Sequence, residues 1–309
     1  MPANRQPRSM DNPWYDWSPI SERPPLRWPG DARIAVGIIV NLEYAELVGP
    51  PGSIAPPSAV RRGPFPQLAD MHETTPIEYG NRVGVFRVMK VLDRHGLRAT
   101  AALDAAVAER YPYIISEAQR RNWEFIGHSL AYTRMITEKM PEAEEREYIR
   151  ASLAAVEKAT GRPARGWIGS DYGESTRTVG VLAEQGVEYV CDWPNDEQPY
   201  RMKVPVRGKA GTMVSMPTLL DLDESYTHRG RRIPIGRWTQ MVTEAFDRMY
   251  ADGEASGRML LISLHPWLIG QPYRIGALDE ALAHIMRHPK VWAATGSEIM
   301  DWYLQSTKA

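Results

Sequence analysis

The sequence predicts an α/β protein, and three observations carry that prediction. Ile34-Ala35-Val36-Gly37-Ile38-Ile39-Val40 is a short, nearly continuous apolar run, the mark of a strand buried on both faces. Met259-Leu260-Leu261-Ile262-Ser263-Leu264 repeats the pattern near the other end of the chain. Between and after them, strand and helix signals alternate at least six times. That alternation implies a parallel sheet with crossover helices, open or closed into a barrel.

The elements follow in order. Residues 1–30 are rich in Pro and Trp without periodicity, including Trp14, Trp17 and Trp28. Proline excludes a regular helix there, and three tryptophans left wet argue against disorder. An ordered arm is expected, lying on the domain or on a neighbouring subunit. The first strand runs from Ile34 into Asn41-Leu42-Glu43-Tyr44-Ala45-Glu46. Residues 48–77 form a long Pro- and Gly-rich loop, and loops of that length are often functional lids. Val85, Val88, Met89 and Leu92 share a helix face that Gly96 ends. Strands are expected at Arg98–Leu103 and Trp123–Ile126, with a helix at Tyr113–Arg121 between them. A helix over Pro141–Thr160 starts on proline and stops at Gly161-Arg162-Pro163. Strand-like Gly166–Gly169, a helix at Thr176–Gln185 and strands at Val187–Cys191 and Thr212–Met216 follow. A helix at Trp238–Ala251, the 259–264 strand, a helix at Gly276–Arg287, the strand Val291-Trp292-Ala293 and a last helix from Ser297 complete the chain. The domain reading is an arm over residues 1–30 and one domain over 31–309.

Composition narrows the function. The chain has 309 residues, 43% hydrophobic and 24% charged, as in a globular protein, and a net charge of −1. No field attracts nucleic acid or an acidic membrane; the clusters Arg61-Arg62 and Arg229-Gly230-Arg231-Arg232 read as solvated loops. The single cysteine, Cys191, precludes an internal disulfide and fits a reducing compartment. The N-terminus carries no apolar signal-peptide core, so a cytoplasmic enzyme is expected. Its Trp-rich arm suggests a homo-oligomer, a dimer or tetramer.

Polar residues collect just after the expected strands: Glu43 and Glu46, Asp104, His128, Ser170 and Asp171, Asp192 and His265. In a (β/α) barrel the active site lies at those strand ends. His265, leaving a buried strand, can protonate a departing amine or take a proton from water; a hydrogen-bonded core histidine is the other reading. His128 can orient or protonate substrate or bind a metal, and Glu43 can act as base, ligand or acceptor. His128 also opens a His-Ser-x-x-x spacing in which position 132 would present a second ligand across one helical turn, and Tyr132 stands there. His72 reads as a loop histidine, and His95, His284 and His288 as helix-end residues paired with the dipole. Cys191 beside Asp192 is a poor nucleophile. No phosphate loop, Gly-x-Ser-x-Gly elbow or His-Glu-x-x-His helix is present.

These residues, in order, resemble the polysaccharide deacetylase, or NodB-homology, superfamily, nearest its intracellular allantoinase-like and cyclic-imide-hydrolase-like branch. The likeness rests on Arg33-Ile34-Ala35-Val36 leading to Asn41-Leu42-Glu43, on Glu78 to Gly84 and on Gly127-His128-Ser129. It continues through Thr160-Gly161-Arg162-Pro163 with Gly166-Trp167, Ser175-Thr176, Asp192 with Pro199-Tyr200, and Ser263-Leu264-His265 with Leu268 to Pro272. The resemblance implies a distorted (β/α) barrel of about seven strands and hydrolysis of a non-peptide C–N bond in a small cyclic or linear amide, imide or ureide. It implies His265, Glu43 and His128 as catalytic, and Tyr132, Arg82, Trp167, Asp192 and Glu46 as substrate-binding residues. The family's metal-binding Asp and two His are incomplete: Asn41 and Glu43 replace an Asp pair and Tyr132 a histidine. No cofactor is therefore expected; the alternative is a divalent ion such as Zn2+ on Glu43 and His128, supplemented by His72 or Asp104. Without an ion, Tyr132, Arg82 or backbone N–H groups would polarise the carbonyl. Two other readings remain open, a metal-dependent deacetylase of an N-acetylated sugar and a catalytically inactive binding protein on the same fold.

Overall fold

The computed structural model describes residues 10, 12–56, 71–206 and 209–307. Its centre is β1 (Ile34–Leu42), buried along all nine residues, as its continuous apolar sequence requires. β2 (Thr100–Leu103), β3 (Glu124–Gly127), β4 (Gly166–Trp167), β5 (Tyr189–Val190), β6 (Tyr200–Val206), β7 (Lys209–Ser215), β8 (Arg258–Leu264) and β9 (Val291–Ala293) complete one nine-stranded sheet. The order is β6-β7-β5-β4-β3-β2-β1-β8, with β9 also on β1. The strands β7, β5, β4, β3, β2, β1 and β8 form a parallel wall. This is the distorted barrel of about seven strands that the sequence predicts. The additions are β9, which the sequence predicts at Val291–Ala293, and the antiparallel β6, which it does not.

The helices are α1 (Met71–Tyr79), α2 (Val85–Arg94), α3 (Ala105–Arg110), α4 (Pro112–Arg120), α5 (Glu142–Thr160), α6 (Thr178–Glu184), α7 (Ile235–Asp252), α8 (Pro266–Ile269), α9 (Ile275–Met286) and α10 (Gly296–Ser306). Gly161 ends α5 in the left-handed region at φ 74°, where a side chain would be strained. The sequence reading did not anticipate α1, α3 and α8. α1 carries Pro76 inside it and lies partly in the expected 48–77 lid. The middle of that lid, 57–70 with Arg61-Arg62, lies outside the described residues, so the lid reading reduces to 48–56 and a helix from Met71. His72 stands in α1 and not in a loop.

Strand alternation divides the apolar side chains between two cores. Val36, Ile38, Val40, Leu260, Ile262 and Leu264 face α2, α7 and α9. Ala35, Ile39, Ala102, Ile126, Ile168, Cys191, Met259 and Leu261 fill the barrel interior.

The barrel does not close by strand pairing between β6 and β8, and the N-terminal arm runs along that seam. Trp14 O accepts from the Lys203 amide of β6 at 2.6 Å, and Leu26 O accepts from Gly257 N at 2.8 Å just before β8. Trp28 is 1% exposed and donates its indole N–H to Arg258 O at 2.7 Å. The described part of the arm therefore lies on its own barrel. Among the described residues, no helix is long and apolar enough to cross a membrane.

Candidate active site

The inward-facing parity of the strands builds the site. On β1 the inner row is Ala35, Gly37 and Ile39, and it continues to Asn41 and then Glu43. On β8 it is Met259, Leu261 and Ser263, and it continues to His265. Ala102 is followed by Asp104, and Ile126 by His128. Register sets the heights. Leu42 pairs with Leu103 and Leu103 with Gly127, so Glu43, Asp104 and His128 stand level on neighbouring strand ends. Val40 pairs with Leu264, which places His265 beside Asn41.

Glu43, His128 and His265 thus meet, as the sequence predicted. All three are buried. Glu43 Oε1 lies 3.5 Å from His128 Nε2 and 3.8 Å from His265 Nε2. Glu43 Oε2 accepts the indole N–H of Trp267 at 2.7 Å, and the Glu43 carbonyl accepts the Asn81 amide at 2.8 Å. Asn81 belongs to a π-helical stretch, Gly80–Gly84, between α1 and α2, and such stretches often mark functional sites. Gly84 allows α8 to approach it, since a Cβ there would sit 2.0 Å from Pro266 O.

Each imidazole is anchored through its far nitrogen. His128 Nδ1 lies 2.6 Å from Ile168 O, so Nδ1 carries the proton and Nε2 faces Glu43. Glu224 grips His265 twice, accepting its backbone N–H with Oε1 and its Nδ1–H with Oε2 at 3.1 Å. Asp223 Oδ1 lies 3.7 Å from the same Nδ1. Asp223 is itself held by Tyr172, which donates its hydroxyl at 2.8 Å, and by the Ser225 amide at 2.8 Å. Asp171 and Tyr172, which form a turn lining the cleft, have positive φ values of 50° and 59°. Strained non-glycine backbone of this kind persists where the surroundings over-determine it.

The charges follow from these neighbours. Burial disfavours the His265 cation, but Asp223, Glu224 and Glu43 together raise its pKa well above the ordinary histidine value. Burial likewise opposes protonation of His128, and Glu43 and Asp104 outweigh it, so its pKa is also raised. Burial would raise Glu43, yet His265, His128 and Trp267 hold its carboxyl below the usual range. Burial pushes Asp104 up to about 6. Asp104 accepts the Tyr44 amide at 2.9 Å and the Ser129 hydroxyl. The arrangement is a carboxylate set between two imidazoles whose protonated forms it favours. A cleft lined by His128, His265, Asn41, Tyr172, Asp223 and Tyr226, with a cavity of about 10 Å3, leads to it. That is about the space one water occupies.

Several expected substrate contacts lie elsewhere. Trp167 is fully buried on the opposite face of β4, where it packs over Gly127 and between α5 and α6. Its place follows from parity, because Ile168 next to it points inward. Arg82 is exposed, since Asn81 takes the site-facing position of the π-helical stretch. Glu46 is occupied by Arg134 and Thr133 at the rim. Tyr132 is buried with Ile77, Trp267 and Leu268, its ring 6.3 Å from that of Trp267. It supports the indole that holds Glu43. Asp192 is buried and accepts the Gly169 amide at 2.6 Å, which fixes the loop carrying Ile168 and the cleft. Burial and the neighbouring carboxylate of Asp192 raise the Glu174 pKa well above normal, and burial raises that of Asp192.

The sequence reading missed Asp223, Glu224, Trp267 and Tyr172. The acidic run Asp221-Leu222-Asp223-Glu224, placed soon after the strand Thr212–Met216, was the available signal for the first two.

Resemblance to metal-dependent deacetylases makes a bound ion the obvious question. Tetrahedral ligands about 2.0–2.2 Å from zinc stand about 3.3 Å from one another. Glu43, His128 and His265 do not bring one ligand atom each within 4.8 Å of both others, and Asp104 is spent on Tyr44 and Ser129. Where a second histidine would stand, Tyr132 packs in an apolar cluster. These residues do not fit the Asp-His-His ligand set.

Comparison with known proteins agrees with the fold. A family model described as "Polysaccharide deacetylase" matches residues 77–190, which include His128. A Schizosaccharomyces pombe protein described as "Putative polysaccharide deacetylase" is 26% identical over 300 residues, covering 91% of this chain and 92% of its own. Two crystal structures align along nearly the whole chain. PuuE allantoinase is 27% identical with a TM-score of 0.83, covering 94% of this chain and 96% of its own. A "probable Polysaccharide deacetylase" from Pseudomonas aeruginosa PAO1 is 26% identical with a TM-score of 0.82, covering 93% and 96%. The central segment of the chain, with His128 inside it, is thus similar to the polysaccharide deacetylase family, and the whole chain is similar to the relatives named above in sequence and in barrel architecture.

Proposed function

We propose that this protein hydrolyses a non-peptide C–N bond in a small cyclic or linear amide, imide or ureide, without the family's usual metal triad. The observation that carries the reading is Glu43 Oε1, set between His128 Nε2 and His265 Nε2 at the strand ends, with His265 anchored by Glu224. The similarity to an allantoinase along the whole chain supports a small cyclic amide or ureide over an N-acetylated sugar as the substrate.

The chemistry follows from the charges. Glu43 stays ionised and takes a proton from water while the water oxygen bonds to the substrate carbonyl carbon. The carbonyl π pair moves to oxygen, and the His128 N–H faces that developing charge in a buried site, where such a donor is most effective. When the oxyanion reforms the carbonyl, the C–N bond breaks and its electron pair goes to nitrogen, which takes the His265 proton. Glu224 keeps His265 in the tautomer and orientation this requires. Admitting substrate requires the cleft side chains, Tyr172 and Tyr226 among them, to separate.

The deciding experiment is hydrolysis of a panel of hydantoins, cyclic imides, ureides and lactams by wild type and His265→Ala. Turnover of at least one, reduced in the variant, supports the reading. Retained binding with no hydrolysis anywhere in the panel would establish the inactive binding protein instead. Stoichiometric zinc that is lost on His128→Ala, together with release of acetate from N-acetylated sugars, would establish the metal-dependent alternative.

A further inference from the structure

We infer that the outer face of the α7–α9 pair is a transition-metal site made by Asp247, His284 and His288, separate from the strand-end cluster. Asp247 lies on α7, His284 on α9, and His288 one turn further, just past the end of α9. One ligand atom from each lies within 4.8 Å of the other two. The spacing of 284 and 288 puts two imidazoles on one face of a helical turn, and α7 packs alongside to supply the carboxylate. Two imidazoles and a carboxylate suit a borderline ion such as Zn2+, Ni2+ or Cu2+ better than Mg2+ or Ca2+.

Three features go beyond mere proximity. The rings rest on buried Phe246, whose centroid lies 5.9 Å from that of His284 and 5.0 Å from that of His288, and Tyr250, stacked on Phe246, lies 5.3 Å from His288. Their orientations are therefore held by core packing. His288 Nδ1 lies 2.8 Å from His284 O, so it donates its proton there and leaves Nε2 with a free lone pair. A ligand histidine is commonly oriented in that manner. Finally, His284 Nε2 and Asp247 Oδ1 face each other at 2.6 Å. An ion would replace the shared proton, and the gap would open to about 3.3 Å, the spacing of two ligands on one tetrahedral zinc.

Arg287 gives the proposal an unusual prediction. Its guanidinium donates to His284 Nδ1 at 2.9 Å, which puts the His284 proton on Nε2, the nitrogen the metal needs. For the ion to bind, that proton must move to Nδ1 and Arg287 must leave. Arg287 is exposed and free to swing into solvent. It therefore competes with the metal, and its removal should improve the site.

The test is calorimetric titration of chelator-stripped full-length protein with Zn2+, alongside His288→Ala, Asp247→Asn, Arg287→Ala and, as a control for the strand-end cluster, His128→Ala. The expected result is one equivalent bound by wild type and by His128→Ala, binding weakened more than about tenfold in His288→Ala and Asp247→Asn, and tightened in Arg287→Ala. With Cu2+ as probe, electron paramagnetic resonance should show coupling to two nitrogens in wild type and one in His288→Ala. No binding by wild type, or binding lost in His128→Ala and kept in His288→Ala, would overturn the assignment. The circular-dichroism spectrum and melting temperature of each stripped variant separate loss of ligands from loss of fold.

Discussion

The indole N–H of Trp267 donates to Glu43 Oε2 at 2.7 Å, so an aromatic residue two positions past His265 helps to hold the charge of the carboxylate just beyond β1. Glu43 is held below the usual carboxylate range against a burial penalty, and this bond is one of the contributions. Trp267→Phe keeps the packing against Tyr132 and removes the donor. The Glu43 pKa then rises, and since the base must be ionised, the acid limb of the kcat/KM profile moves to higher pH. A profile with an unmoved acid limb would remove Glu43 as the base.

His265 titrates in the opposite sense. Its pKa is raised well above the ordinary histidine value because Asp223, Glu224 and Glu43 outweigh burial, and the reaction needs its protonated form. The alkaline limb therefore lies above the range of an ordinary histidine. In Glu224→Gln one of those charges is gone, the His265 pKa falls, and the alkaline limb moves to lower pH. Full replacement, His265→Ala, removes the acid and should cut kcat by about 10²–10⁴-fold on a substrate with a poor leaving group. The effect should shrink for substrates whose nitrogen departs without a proton; an equal loss on both would argue for a purely structural histidine.

Gly84 lets the segment carrying Asn81 lie against α8. An added Cβ would stand 2.0 Å from the Pro266 carbonyl oxygen and 2.8 Å from its carbon, both backbone atoms that cannot move independently. Gly84→Ala should cost at least about 1–3 kcal/mol. The measurement is the midpoint of urea unfolding at unchanged slope.

Trp28 belongs to the arm, yet it is as buried as the central strands and donates to Arg258 O. Trp28→Ala should lower stability by about 3–5 kcal/mol in the same assay. A loss below about 0.5 kcal/mol, the range of ordinary surface substitutions, would show that the arm is dispensable to the barrel. Size-exclusion of the same variant tests the expected oligomer independently.

Much of the site was legible because strand alternation is rigid. Once Ile39 faces inward, Asn41 and Glu43 must follow, and the same rule places His265 after Ser263 and His128 after Ile126. Parity applied to β4 would also have turned Trp167 outward, but a two-residue strand offers little pattern to fix its phase. Arg82 and Asn81 were exchanged for a related reason. A π-helical stretch breaks the 3.6-residue period on which the assignment of a helix face depends. Asp223 and Glu224 were missed because they lie in no periodic segment at all.

The sequence by itself determined the alternating α/β order, the strand ends and the identity of the carboxylate and two imidazoles that meet there. Those are consequences of local periodicity and burial, which adjacent residues encode. Only the tertiary structure decided which residues surround them. Glu224 reaches His265 across 41 positions and Trp267 reaches Glu43 across 224, so neither contact leaves a trace in local pattern. The protonation states depend on those distant charges, because in a buried site each neighbour acts nearly unscreened by water. The residue types were written along the chain, and their partners and charges were set by the fold.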